Sequence, residues 1–246
     1  MLKSNIIKKR IIPVLIFFIL CVIIMVYLIM QKSNKQTISE NNQNIEDKLD
    51  NDIILYKEND ADLAIDYSNI DNLVAESEVV ALVKIKSEEG MNYNPIREEY
   101  VPVYTTGVME IENIILNTSD VQLSEKQELE YVRLGGKIKY GEYLQGLRDV
   151  EKEKLQQDML VKTQKTTQEL ANKLVRDMYI DDIEIENNKE YLVFLKYTKD
   201  YEKYNILGFE YGLREYDSNT KMIKNNATKE FENMEQTAVK INELTK

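Results

Sequence analysis

The stretch EYLVFLKY, Glu190–Tyr197, decides the fold class. It is the most apolar strand-length run of the chain beyond residue 30, so it reads as a central strand. Working outward, VVALVKIK at Val79–Lys86 is apolar on both faces in its first half and alternates in its second, as a strand leaving the core does. From Tyr100 to Leu116, Val101, Val103, Met109, Ile111 and Ile115 share one parity, with Glu110 and Glu112 on the other. That alternation predicts a long half-exposed strand, bent at Gly107. QELEYVRL, Gln127–Leu134, is a third strand stopped by Gly135–Gly136, which reads as a hairpin turn. The three successive strands predict an antiparallel meander. Tyr204–Phe209, Gly212–Tyr216, Met222–Ile223 and Glu230–Glu232 continue the β-rich pattern.

Helical signals are fewer. Ser68 with Asp71 marks a helix start, and Ile70, Leu73 and Val74 supply its apolar face to Glu76. Between about residues 140 and 178 the spacing changes: Leu147, Val150 and Leu155–Met159 fit one helix, and Leu170, Leu174 and Met178 a second. This predicts a helical excursion inserted into a β-rich domain. Val239, Ile241 and Leu244 close the chain as a short helix. Ser87–Pro95, with Gly90 and Asn94–Pro95, reads as a loop.

The N-terminal part is of another kind. IIPVLIFFILCVIIMVYLIM, Ile11–Met30, is uncharged and long enough as a helix to cross the hydrocarbon core of a bilayer. Lys3, Lys8, Lys9 and Arg10 precede it, so the positive-inside rule leaves residues 1–10 as a cytoplasmic tail. The run is longer than a signal-peptide core and no small-x-small cleavage site follows, although Cys21 keeps a lipoprotein reading open. Residues 31–52 are polar and aperiodic and read as a tether. Residues 53–246 would then be an extracytoplasmic domain on a single-pass cell-membrane protein.

Composition excludes more than it selects. Net charge is −11, and because the first thirty residues hold four basic groups and no acid, the remaining 216 carry −15. Nucleic-acid binding by phosphate neutralisation is excluded on that balance. Histidine is absent and Cys21 is the only cysteine, which removes a Ser–His or Cys–His pair, a disulfide framework and an N/S metal site. No cofactor motif or metal loop is present. Asp181, Asp182, Glu184 and Glu186 are oxygen ligands in number, but without the spacing of a calcium loop they read as a solvated strand edge. Ser218–Lys221 matches Ser-x-x-Lys by chance within a turn. Fifteen of the sixteen tyrosines lie beyond residue 30. Tyr100, Tyr104, Tyr131, Tyr191 and Tyr197 fall on strands, and Tyr140, Tyr143, Tyr201, Tyr204, Tyr211 and Tyr216 near loops and strand ends. Some can form a tyrosine-lined contact face. No catalytic, cofactor or metal residue is singled out.

Ser77-Glu78-Val79-Val80, Gly107–Leu116, Tyr131–Gly136 and Tyr191–Leu195 follow one another as in uncharacterised surface proteins of low-GC Gram-positive bacteria. They also resemble the OB-like barrels of netrin/TIMP-type modules, whose cysteines are absent here. The resemblance implies an α+β chain: an N-terminal transmembrane helix, then a mainly antiparallel β-barrel-like (OB-like) domain with the helical excursion. A rigid barrel on a flexible tether predicts, for function, a non-enzymatic binding or assembly module of the cell envelope that engages an envelope or secreted protein or polymer. The alternatives are a carboxylate-dependent envelope hydrolase and a sensor or regulatory surface protein.

Overall fold

The computed structural model describes residues 52–60, 63–180, 182–225 and 228–245. They form mostly strands, with a few short helices. The expected fold class is corrected on several points. Among the described residues no helix is long and apolar enough to cross a membrane. The expected transmembrane run Ile11–Met30, the preceding tail and nearly all of the tether lie outside the described residues. The β-barrel-like domain is replaced by two sheets, one of eight strands and one of three.

In chain order the strands are β1 (Ile53–Asn59), β2 (Val79–Asn94), β3 (Glu99–Asn117), β4 (Glu128–Leu134), β5 (Gly136–Lys139), β6 (Leu174–Tyr179), β7 (Glu190–Thr198), β8 (Lys203–Ile206), β9 (Leu213–Asp217), β10 (Met222–Asn225) and β11 (Glu230–Asn233). The helices are α1 (Ile70–Glu76), α2 (Tyr140–Tyr143), α3 (Asp149–Thr163), α4 (Thr167–Leu170) and α5 (Met234–Leu244). The large sheet runs β11-β10-β9-β7-β2-β3-β4-β8, and β8 also pairs with β7. One edge of β7 pairs with β2 over residues 190–195. The other edge is divided: residues 191–193 pair with β9 and residues 195–198 with β8. Through β8 the pairings β7–β2–β3–β4–β8–β7 return on themselves, while β9, β10 and β11 carry the sheet outward from β7 to an edge at β11.

The apolar run of β7 has a direct cause. Tyr191, Val193 and Leu195 face a core made with Val79, Val83, Met109, Ile111 and Tyr131. Leu192 and Phe194 face a second core, closed by Leu73 and Val74 of α1 and by Met234 and Ile241 of α5. All five β7 residues are fully buried, and truncating Phe194 to Ala at such a site costs about 3–5 kcal/mol. The cap of α1 is Asn69, whose side chain accepts from the Asp71 N–H at 2.9 Å, rather than Ser68. Ser68 instead donates its N–H to Asp66 at 3.0 Å.

The helical excursion is corrected most. Leu174 and Met178, read as helix, lie in strand β6. There β6 sits between β1, to which it is parallel, and β5, to which it is antiparallel. The four-residue spacing of Leu170, Leu174 and Met178 is coincidental, because Leu170 ends α4 and the chain turns before Leu174. Ser87–Pro95 is also corrected: most of it continues β2 in register with β3. Gly135–Gly136 does not turn a hairpin, because β4 and β5 belong to different sheets. The pair instead carries the chain from one sheet into the other, with Gly135 at φ 83°.

The two sheets meet where β5 crosses the β2–β3 hairpin. A Cβ on Gly90 would stand 1.7 Å from the Lys137 carbonyl oxygen, so only glycine admits this approach. Beneath the small sheet, Val103, Ile138, Tyr140, Tyr143, Leu144, Met159, Leu170 and Val175 form a third core.

Candidate binding groove at the seam of the two sheets

Alternation along β6 gives the small sheet two different faces. Leu174 and Met178 point to one cleft, whereas Asp177 and Tyr179 point to another. The first cleft, about 200 Å³, is lined with charge: Glu88, Glu89, Arg133, Lys137 and Glu184. Glu184 bridges Lys137 and Arg176, each at 2.6 Å. Burial works to raise its pKa, but hydrogen bonds from those two cations prevail and hold it below the usual carboxylate value. Glu88 is displaced the other way, raised chiefly by loss of solvation. Behind the cleft, Arg133 and Asp182 form an ion pair with side chains 3% and 0% exposed. Arg133 also donates to the Ile183 carbonyl at 2.6 Å, and Asp182 accepts from the Ile183 N–H at 2.9 Å. Burial raises the Asp182 pKa despite Arg133. The pair therefore pins the connection between β6 and β7 against β4.

The second cleft is a groove of about 410 Å³. Its floor comes from β1 and β6, where Lys57 and Asp177 are register partners. Asp177, nearly buried, accepts from Lys57 Nζ at 3.3 Å and from Asn59 Nδ2 at 2.5 Å. The Tyr143 hydroxyl joins the same hydrogen-bonded set. Burial alone would lower the Lys57 pKa, but Tyr143 and Asp177 outweigh it and hold the ammonium above its usual value. Burial also raises the Tyr143 and Tyr179 hydroxyls. The walls are Val101, Pro102, Leu134 and Leu147 together with the rings of Tyr100 and Tyr179. Tyr179 is braced by Phe209, with ring centres 4.6 Å apart. Tyr100, 50% exposed, meets Tyr93 edge to face at 5.4 Å. Asn92 and Tyr100 also line a neighbouring depression of about 480 Å³ that includes Tyr93, Glu142 and Gln145. Asn92 holds that junction by donating to the Glu142 carbonyl at 2.9 Å.

No family model matches the chain and no curated protein matches it. Residue roles here follow from geometry and chemistry.

The residues weighed from the sequence are dispersed. Asp182 pairs with Arg133, Glu184 with Lys137 and Arg176, and Glu186 with Lys189 at 2.6 Å; Asp181 lies outside the described residues. The solvated-edge reading is thus corrected for Asp182, which is buried. Ser218 and Lys221 belong to the turn after β9, where the Lys221 N–H donates to the Asp217 carbonyl at 2.8 Å. Of the tyrosines, Tyr131, Tyr140 and Tyr191 are fully buried, and Tyr191 is pushed up to about 12, chiefly by burial. Tyr104 packs at a tilt against Tyr201, and Tyr197 meets Tyr204 edge to face. Tyr211 and Tyr216 pack on the second core. Only Tyr100 and Tyr143 of the tyrosines weighed reach the groove. Tyr179, Lys57, Asn59 and Asp177 carried no sequence signal, because β1 and β6 are brought together from about 120 residues apart.

Proposed function

We propose that this chain is a non-enzymatic binding or assembly module of the cell envelope, and that the seam groove engages the envelope component. One observation carries the reading: the exposed ring of Tyr100 and the half-buried ring of Tyr179 stand over a polar floor whose own charges are already paired. Such a floor positions a ligand and is a poor reagent. Lys57 and Tyr143 are both held protonated, with pKa values moved away from neutrality, the opposite of what a general base needs. Location on the outer face of the cell membrane is part of the proposal. It is supported by the uncharged run Ile11–Met30 and the basic residues before it.

The test is retention of the detergent-solubilised full chain on envelope fragments freed of membrane, so that the apolar run Ile11–Met30 does not itself hold the chain. Replacing Tyr93 and Tyr100 by Ala together should abolish retention, since both residues are about half exposed and belong to none of the three cores. Retention equal to that of the parent chain would refute the groove as the binding site.

A second reading has one observation in its favour. Glu88 and Glu184 line the same charged cleft with carboxyl pKa values displaced in opposite directions, the pattern of an acid and a base. It makes the chain a carboxylate-dependent hydrolase and requires release of new chain ends from an envelope polymer. The binding reading requires none.

A further inference from the structure

Resting on the groove as the binding site, we infer that its ligand is an uncharged polysaccharide, bound as an extended chain. Charge gives the first argument. The groove floor is neutral in sum, because Asp177 is occupied by Lys57 and Asn59. A cationic ligand finds no free carboxylate on that floor, Glu142 of the neighbouring depression is paired with Lys139 at 3.5 Å, and an anionic polymer is repelled by Glu89 and Glu142 there and by a chain that carries −11 overall.

Chemistry gives the second. A pyranose has two kinds of surface, a C–H face and a rim of hydroxyls that both donate and accept. The groove offers the complement of both. Tyr100 and Tyr179 present rings fixed by Tyr93 and Phe209, at 5.4 and 4.6 Å between centres. Lys57 keeps ammonium donors beyond its contact to Asp177, the Asn59 side-chain carbonyl is an acceptor because its amide N–H groups are spent on Asp177 and the Met178 carbonyl, and the Tyr143 hydroxyl can do either. Because these groups already hold one another in place, little conformational freedom is lost on binding.

Shape gives the third. The groove of about 410 Å³ shares Asn92 and Tyr100 with the neighbouring depression of about 480 Å³. Two consecutive hollows with an exposed ring at their junction suit a chain of repeating units rather than one compact small molecule.

The test measures binding of the full chain to three neutral hexasaccharides, a β-1,4-glucose, an α-1,4-glucose and a β-1,4-N-acetylglucosamine hexamer. At least one should bind. Tyr100→Ala should weaken that binding about tenfold, and Tyr100→Phe, which keeps the ring, should restore it. Tyr197→Ala, an exposed ring outside the groove, should leave it unchanged. If none of the three binds while envelope retention still depends on Tyr93 and Tyr100, the polysaccharide inference falls and the groove reading stands. If a hexamer binds equally well to Tyr100→Ala, the groove is not its site and the inference falls as well. If neither hexamer binding nor retention depends on these rings, both fail.

Discussion

Replacing Asp182 by Leu leaves the Arg133 guanidinium buried with its counter-charge gone. Arg133 is 3% exposed in its side chain and keeps only the Ile183 carbonyl at 2.6 Å as partner. Breaking a buried pair in this way costs about 3–5 kcal/mol, because the remaining charge cannot return to water without unfolding its surroundings. Loss of the Asp182 contact to the Ile183 N–H adds about 1 kcal/mol. For a domain of this size each kcal/mol shifts the melting temperature by roughly 2–4 °C, so the expected fall is roughly 8–24 °C. The pair is worth much less than its breakage costs. Arg133→Met combined with Asp182→Leu removes both charges and should recover most of the loss. Urea unfolding followed by tyrosine fluorescence, with a double-mutant cycle over the two sites, measures both quantities. Two results would refute the reasoning: an Asp182→Leu chain within about 1 kcal/mol of the parent, or a double variant as unstable as the single. Because the pair pins the segment between β6 and β7, the single variant should also loosen Asp177 and weaken groove binding before the domain melts.

Gly90→Ala should cost several kcal/mol, roughly the upper range of overpacking, because its Cβ meets the Lys137 backbone and not a movable side chain. Faster hydrogen exchange confined to β5, β6 and β1 would report the release of the small sheet, and unchanged protection there would contradict the close approach. Glu184 gives a pH test. Its folded pKa lies below the ordinary glutamate value, so the unfolded chain takes up the proton first as pH falls. Its stabilisation is present above about pH 4.5 and is lost as pH falls through the folded value. Glu184→Gln should therefore flatten the dependence of melting temperature on pH between about pH 5 and pH 3; an unchanged slope there would show that the two cations do not hold this carboxylate.

The large sheet was legible because its strands write their burial in local pattern. Glu190–Tyr197 is apolar at every central position since β7 has a core on each face, and β3 alternates since one of its faces is solvated. The small sheet was not legible, because β5 is four residues long and β6 carries Arg176 and Asp177 in its middle. A central strand of a small sheet at the domain surface needs no continuous apolar run, so its pattern was mistaken for helix. Ser87–Asn94 failed for a related reason: Gly90 signals a turn by type, but here it marks a strand passing under another. Half of the groove was readable as tyrosine abundance. Its floor was not, since Lys57, Asn59 and Asp177 acquire meaning only from a parallel pairing that no local signal announces.

That parallel pairing also sets an order in time. During synthesis β1 emerges some 120 residues before β6, the strand to which it is bonded. At about 5–20 residues per second the delay is roughly 6–24 s. Throughout it the apolar start of β1, Ile53-Ile54-Leu55, has no partner, while α1, β2, β3 and β4 are already able to assemble. The small sheet is thus the late, high-contact-order step of folding, and the groove floor, built on β1 and β6, exists only after that step is complete.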